Sequence, residues 1–319
     1  MNDKMSQILN YIPLNLRENI AKAIENLQNI EEIRFRAGKL VSIFSNGKLL
    51  HIDITADLTD VKSIFNAVCE HSVYAYLEEI KQGFITIKGG HRVGICGRVV
   101  THNGVIENVK DISGLNFRVA SEIIGCADEM IKHIADTENH RIKSTLIISP
   151  PLCGKTTMLR DAVRQCSNLG FNVSVVDCRG EIAAVYNGIQ QNDLGENTDV
   201  LDGCPKAAGM MMLLRSMSPQ ILVTDEIITD DDVFAVSQAL AGGVSVIATV
   251  HGDKIEDVSE NPRFLPLFGK CGFKNIVLLS RRNGAGTIEE VRNFTNEQLR
   301  NVRNIGSAVS PNGRWKGVV

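Results

Sequence analysis

Apolar residues recur along this chain at two different periods, and the change of texture falls near residue 140. Over residues 1–40 the spacing is helical, with Leu16, Ile20, Ile24 and Leu27 on one face. EIRFRAGKLVSIFSNGKLL (32–50) reads as two short strands joined by a turn at Ser45–Asn46–Gly47. Leu58, Val61, Ile64, Phe65 and Val68 then mark a further amphipathic helix. GFITIKGGHRVGICGRVV (83–100) is strand material broken by glycine, and LNFRVA (115–120) is another strand. EIIGCADEMIKHI (122–134) predicts a helix that leads into a polar hinge at about 137–143. Residues 1–140 therefore read as a compact, mixed α/β domain.

Beyond the hinge the strands are apolar throughout: STLIIS (144–149), NVSVVD (172–177), QILVTD (220–225), VSVIATV (244–250) and NIVLLS (275–280). Such runs suit a parallel sheet covered on both faces by helices. Two of them end in a carboxylate, as the strands of α/β nucleotide folds do at their carboxyl edges. The second domain spans 141–300. The last residues, 301–319, are rich in glycine, proline and serine and read as a flexible tail.

Composition narrows this little. A chain of 319 residues with 44% hydrophobic residues can bury two cores. A formal charge of −3 gives no general electrostatic reason to expect nucleic acid. The eight cysteines contain no CxxC pair, so a closed zinc site of the common spacing is not expected. Cys126 and Cys166 lie in apolar runs and read as small buried hydrophobes. MNDKMSQILN lacks a basic stretch leading into an apolar core, and no segment reaches about 18 uncharged apolar residues. The expectation is a cytoplasmic protein that reaches membranes only through partners.

STLIISPPLCGKTTMLRDA (144–162) supplies the chemistry. It follows the phosphate-loop pattern G-x-x-x-x-G-K-[ST] except that Ser149 stands where the first glycine belongs. The loop Pro150, Pro151, Leu152, Cys153, Gly154, Lys155, Thr156 and Thr157 would wrap backbone N–H groups around a phosphate at a helix N-terminus. Lys155 would reach the β- and γ-phosphates of ATP, and Thr156 would hold Mg²⁺. Ser149 is harmful only if its φ must be positive. The helix after the loop is marked by Leu159, Val163 and Cys166.

Carboxylates close the neighbouring strands. Asp225 would orient Mg²⁺ and Glu226 would polarise the attacking water. Asp177 or Glu181, in VVDCRGEIAA, would lie near the γ-phosphate, unless they only pair with Arg179. His251, in ATVHG, would sense that phosphate or position water, or else merely cap its strand. Arg215, Arg263 and Arg281–Arg282 are candidates for neutralising phosphate charge, although surface arginines are common. AAGMMMLLRSM (207–217) reads as helix core.

EIRFRAGKL, YAYLEEIKQGFITIKGGHRVGICGR, ISGLNFRVA, PPLCGKTTMLRDAVR, VVDCRGEIA, DVLDGCPK, MMMLLRSMSPQILVTDEI and VIATVHG together resemble the stage III sporulation protein AA family of endospore-forming bacteria. That family is similar to the ring-forming ATPases of type II, type IV and pilus systems. The resemblance covers about residues 30–285 and implies a RecA-like/AAA-type P-loop NTPase core behind a smaller α/β N-terminal domain. It further implies a homo-oligomer, a hexamer by family expectation, with N-terminal arginines supplied to the nucleotide. Arg34, Arg36, Arg92, Arg98 and Arg118 match motif positions, and Arg92, Arg98 and Arg118 are the ones expected to approach ATP. An acidic motif and a histidine motif of the secretion ATPases fall at Asp177–Glu181 and His251. Cys178 departs from a D-E-R motif common in the sporulation family, which leaves Asp177 or Glu181 for acid–base work. The implied partners are membrane proteins of the channel complex between mother cell and forespore, met from the mother-cell side.

Two other readings are open at this stage. One is a cytosolic P-loop NTPase acting on nucleic acid through the basic, glycine-rich GGHRVGICGR. The other is a scaffold that binds ATP without hydrolysing it, against which stands the retention of Glu226.

Overall fold

The computed structural model describes residues 3–136, 138–268 and 271–293. The chain divides into two compact units. The first runs to Glu122 and also takes in Ala184–Asn192; the second comprises Ile123–Ala183 and resumes at Asp193.

In the first unit, helices α1 (Asp3–Leu9) and α2 (Leu14–Ile24) precede strands β1 (Ile30–Arg36), β2 (Lys39–Ser45) and β3 (Lys48–Ala56). Helix α3 (Leu58–Val68) and the short α4 (Leu77–Gln82) follow, then β4 (Phe84–Ile87), β5 (His91–His102) and β6 (Val105–Arg118). The strands form one antiparallel sheet in the order β3-β2-β1-β6-β5-β4. Alternation decides which face is buried: Ile33 and Phe35 of β1 face the core while Glu32, Arg34 and Arg36 face away. Phe35 meets Phe117 of β6 edge to face, with ring centroids 5.8 Å apart. Helix α3 starts at a reciprocal capping box between Asp57 and Asp60 and buries Val61, Ile64, Phe65 and Val68. The β2–β3 turn uses positive φ at Asn46 and Gly47, as a tight hairpin requires.

The helical reading of residues 1–40 holds only to Ile24. From Ile30 the pattern alternates with period two, and a strand wins. Leu27 lies past the helix, yet still packs partly buried against the core. Strand β6 begins at Val105, ten residues before LNFRVA, because it pairs along the whole of β5 in a long hairpin.

His91, within GGHRVG, is fully buried in this unit. The Ala120 N–H donates to its Nδ1 at 3.0 Å, so the proton sits on Nε2, which faces Gln7 Oε1 at 3.1 Å. Desolvation, reinforced by the Lys4 charge, lowers its pKa to about 4. Gly89 and Gly90 both have positive φ in the turn before it. A side chain at Gly89 would collide with Gln7, and one at Gly90 would crowd Ala184 and Gln191. The Gly89 N–H donates to Gln191 Oε1 at 2.8 Å, which anchors the stretch Ala184–Asn192.

The second unit starts with helix α5 (Asp128–Ile134) and the two-residue strands β7 (Ala135–Asp136) and β8 (Arg141–Ile142). Strand β9 (Thr145–Ser149), helix α6 (Lys155–Asn168), β10 (Val173–Asp177) and β11 (Thr198–Asp202) come next. Helix α7 (Lys206–Ser216), β12 (Ile221–Thr224), α8 (Asp230–Ala241), β13 (Ser245–His251), α9 (Ile255–Ser259), β14 (Asn275–Ser280) and β15 (Thr287–Asn293) complete it. The sheet order is β11-β10-β12-β13-β9-β14-β15, parallel except for the β14–β15 hairpin. Every residue of β9, β10 and β12 is buried, which explains their uninterrupted apolar runs. Both edge strands, β11 and β15, went unanticipated: each mixes polar and half-buried residues and gives no such run.

The helix expected over 122–134 begins only at Asp128, after a turn through Gly125 at φ +84°. The Ala127 N–H donates to the buried carboxylate of Asp161 on α6 at 2.8 Å. Residues 123–136 thus group with the second unit, whereas the sequence put the division at 137–143. The chain also crosses between the units at 183/184 and 192/193, not at one hinge. The tail 301–319 lies outside the described residues, as does the end of the 141–300 span.

His91 makes folding sensitive to mild acid. The unfolded imidazole takes up a proton as pH falls through 6.5, but the folded one stays neutral to about 4. Its contribution is complete above 6.5 and is lost progressively between these values, by roughly 3 kcal/mol. Urea unfolding of the full chain at pH 7.5 and pH 4.5 should show this slope, and His91→Gln should flatten it. An equally steep slope in the variant refutes the assignment.

Candidate active site

The loop from Ser149 to Thr157 joins β9 to the N-terminus of α6. Ser149 is buried at the strand end and is not among the residues with positive φ; its Oγ donates to the Pro150 carbonyl at 2.8 Å. The position therefore makes no conformational demand that only glycine meets. Leu152 and Gly154 do have positive φ, and Cys153 and Lys155 do not. This alternation turns successive N–H groups toward one side, as anion-binding nests do. Gly154 caps α6 without a side-chain bond, so the first-turn N–H groups are left for a ligand. A Cβ at Gly154 would lie 3.1 Å from the Gly286 backbone N, and the Gly286 N–H donates to the Cys153 carbonyl at 2.8 Å. The turn between β14 and β15, which starts at Arg281, thus braces the loop.

The strand carrying Asp225 is separated from β9 by β13. Thr156 Oγ1 donates to Asp225 Oδ2 at 2.6 Å, and Thr249 Oγ1, on β13, bonds to Oδ1. Glu226 has φ +50°, unusual for a glutamate. Its N–H donates to Thr249 Oγ1 at 2.8 Å, its carbonyl accepts from Lys206 Nζ, and its carboxylate accepts from Arg179 at 2.8 Å. A shallow cleft brings together Asp177, Arg179, Glu181, Lys206, Asp225 and Glu226.

Asp177 is buried, and both its oxygens accept backbone N–H groups: Glu181 at 2.8 Å, Ile182 at 3.0 Å and Ala183 at 2.7 Å. It shapes the turn that presents Arg179 and Glu181. Arg160 of α6 reinforces that turn by donating to the carbonyls of Glu181 and Ile182. Burial pushes the Cys178 thiol up to about 11, so at neutral pH it is a neutral group in this cluster. His251 ends β13 in register with Ser149, which sets it beside the phosphate loop with its ring exposed.

The arginines separate. Arg263 donates to Asp230 at 2.9 Å and to the Ile228 carbonyl at 2.9 Å, fastening the turn that follows Glu226. Arg92, Arg98 and Arg118 belong to the first unit. Arg92 and Arg118 are register partners on β5 and β6, on the sheet face that also carries Glu32, Arg34 and Arg36. Glu32 binds Arg34 and lies 3.8 Å from Arg118, while Arg92 stacks over Phe84 at 4.6 Å. Arg98 sits farther along the hairpin, opposite Lys110. Sequence reasoning missed Lys206, Thr249 and Arg160. The spacing of CPK gives no sign that its lysine reaches the strand end at Glu226.

Residues 2–299 match the family described as Sporulation stage III, protein AA. Stage III sporulation protein AA of Bacillus subtilis (strain 168) is 37% identical over 293 residues, covering 90% of this chain and 94% of its own length. Protein SEEDLING PLASTID DEVELOPMENT 1 of Arabidopsis thaliana is 28% identical over 178 residues, 52% of this chain and 24% of its own. Among solved structures, the pilus retraction motor PilT with bound ADP superposes with a TM-score of 0.61 at 15% identity, covering 90% of this chain and 85% of its own. The Legionella pneumophila ATPase DotB gives 0.54 at 15% identity, with 92% and 86% covered. At that identity the two structures establish the fold: a RecA-like/AAA-type core with an α/β N-terminal subdomain.

Asp177→Asn puts an NH₂ group where a carboxylate oxygen accepts backbone N–H groups, leaving at least one donor unpaired and buried. The loss of stability should be about 1–3 kcal/mol, read from the urea midpoint. A loss of activity at unchanged stability would instead make Asp177 an acid–base group.

Proposed function

This chain belongs to the sporulation stage III protein AA family, and on that premise we propose that it is a Mg²⁺-dependent ATPase. Its hydrolysis energises assembly of, or transport through, the channel complex between mother cell and forespore. The observation that carries this reading is the Thr156–Asp225 hydrogen bond, with Glu226 beside it in one cleft. Mg²⁺ and ATP, when bound, supply the transferable γ-phosphoryl group and the cation that offsets its charge. The donor set fits them: a nest of N–H groups at an uncapped helix N-terminus for phosphate, and a hydroxyl next to a carboxylate for the metal.

Residues Pro150, Pro151, Leu152, Cys153, Gly154 and Thr157 shape the phosphate cradle, and Lys155 places its charge on the outer phosphates. Thr156 and Asp225 hold the metal. Glu226 polarises the attacking water, and Glu181 and His251 complete the polar surround of the γ-phosphate. Arg92, Arg98 or Arg118 of the first unit supplies positive charge to the nucleotide, and Arg281 or Arg263 contributes from the second. The chain works as a ring of identical subunits, a hexamer, on the cytoplasmic, mother-cell side of the membrane. Among the described residues no helix is long and apolar enough to cross a membrane. In this reading membrane proteins of the channel complex are its partners.

Lys155→Ala should abolish ATP binding or turnover, and unchanged values for both would sink the phosphate-loop assignment. Glu226→Gln should bind ATP as the wild type does and lose turnover by about 100-fold or more. Retained turnover in Glu226→Gln would remove the water-polarising role. Turnover that rises with added DNA or RNA, and falls again with salt, would move the function toward nucleic acid.

A further inference from the structure

We infer that Lys206 is a positioning residue for Glu226: it fixes the backbone from which the water-polarising carboxylate projects. The inference rests on the ATPase reading above for its kinetic consequence, though not for its structural one.

Glu226 occupies a left-handed backbone conformation, at φ +50°. For a residue with a long side chain this costs on the order of 1 kcal/mol and persists only where surrounding contacts enforce it. The contacts can be traced group by group from Glu226 to Thr229. The Glu226 N–H goes to Thr249 Oγ1 at 2.8 Å, and the Ile227 N–H to the Thr249 carbonyl at 2.9 Å. The N–H groups of Ile228 and Thr229 go to Asp232 Oδ2 at 3.1 and 3.0 Å, and the Ile228 carbonyl accepts from Arg263 at 2.9 Å. The remaining strong acceptor at the strained residue is the Glu226 carbonyl, and Lys206 Nζ donates to it.

Lys206 is well placed to act as a fixed strut. It is the first residue of α7, follows Pro205, and its side chain is only 14% exposed. Its ammonium lies 3.9 Å from the buried carboxylate of Asp232, the same group that caps α8. One cation thus ties the start of α7, the N-terminal turn of α8 and the end of β12 together. Without it the Glu226 peptide is free to leave the left-handed region. The carboxylate would then swing out of the cleft that holds Asp225 and Arg179. A misplacement on the order of 1 Å is enough to cost about 100-fold in rate. Lys206 touches neither Lys155 nor Thr156 through any of these bonds, so nucleotide affinity should survive its loss.

The test uses the full chain and four proteins besides wild type: Lys206→Met, Lys206→Arg, Glu226→Gln, and the Lys206→Met/Glu226→Gln double variant. Lys206→Met should lower kcat by about 10- to 100-fold with KM and the Kd for ATP nearly unchanged. Lys206→Arg keeps a cationic donor and should recover most of the turnover. In the Glu226→Gln background, Lys206→Met should cost no more than about twofold, because the carboxylate it positions is gone. Hydrogen exchange, which needs no turnover, should show Lys206→Met opening residues 225–229 selectively. An equal loss in both backgrounds overturns the proposal, as does a raised Kd at constant kcat. So does unchanged exchange at 225–229. If Glu226→Gln alone hydrolyses ATP at the wild-type rate, the catalytic reading of Glu226 fails, and the exchange result still decides Lys206.

Discussion

Asp225 is held by two hydroxyls, and the geometry of the whole cleft depends on that grip. Thr156 donates to one oxygen from the first turn of α6, and Thr249 bonds to the other from β13. Strand β13 lies between β12, which Asp225 follows, and β9, which ends at Ser149, so these bonds fix the strand ends and helix α6 in one arrangement. A hydroxyl has one donor and two lone pairs, so Thr156 can donate to Asp225 and still offer oxygen to a cation. Thr249 extends the linkage by accepting from the Glu226 amide. Asp225 and Glu226 are thereby positioned by a single side chain that no phosphate-loop motif includes.

A second linkage leads away from the carboxyl end of the parallel strands. Asp177 gathers the amides of Glu181, Ile182 and Ala183, and the next residue, Ala184, begins the stretch counted with the first unit. That stretch is fastened by Gln191 at the Gly89 turn and by Tyr186 to Glu70. At the start of GGHRVGICGR, Gly89 and Gly90 make room for this stretch, and His91 is buried with its pKa lowered to about 4.

The sequence was most legible where burial on both faces wrote long apolar runs, at β9, β10, β12, β13 and β14. It was also legible at the loop motif, which lies between β9 and the start of α6 at Lys155 as its strand–loop–helix context requires. It failed at the edge strands β11 and β15, whose half-exposed residues carry no clear period. It failed too at the unit boundary, since the attachment of residues 123–136 to α6 depends on a buried carboxylate 34 residues away. Lys206 and Thr249 were invisible for the same reason. Each acts on a residue about twenty positions away, through contacts that only the tertiary fold creates.

Backbone strain falls in part in the same region, independently of any motif. Asn, Asp and His adopt positive φ in turns at little cost, and they make up most of the non-glycine cases among the described residues. The others are Glu70, Ser218, Leu152 in the loop before α6, Ala184 after the Asp177 turn and Glu226 after β12. Glycine would relieve the strain at each position. At Glu226 it would also remove the carboxylate, so the fold keeps the glutamate and surrounds its peptide with Thr249, Lys206 and Arg263 instead. Stability is spent there to hold one carboxylate in one direction.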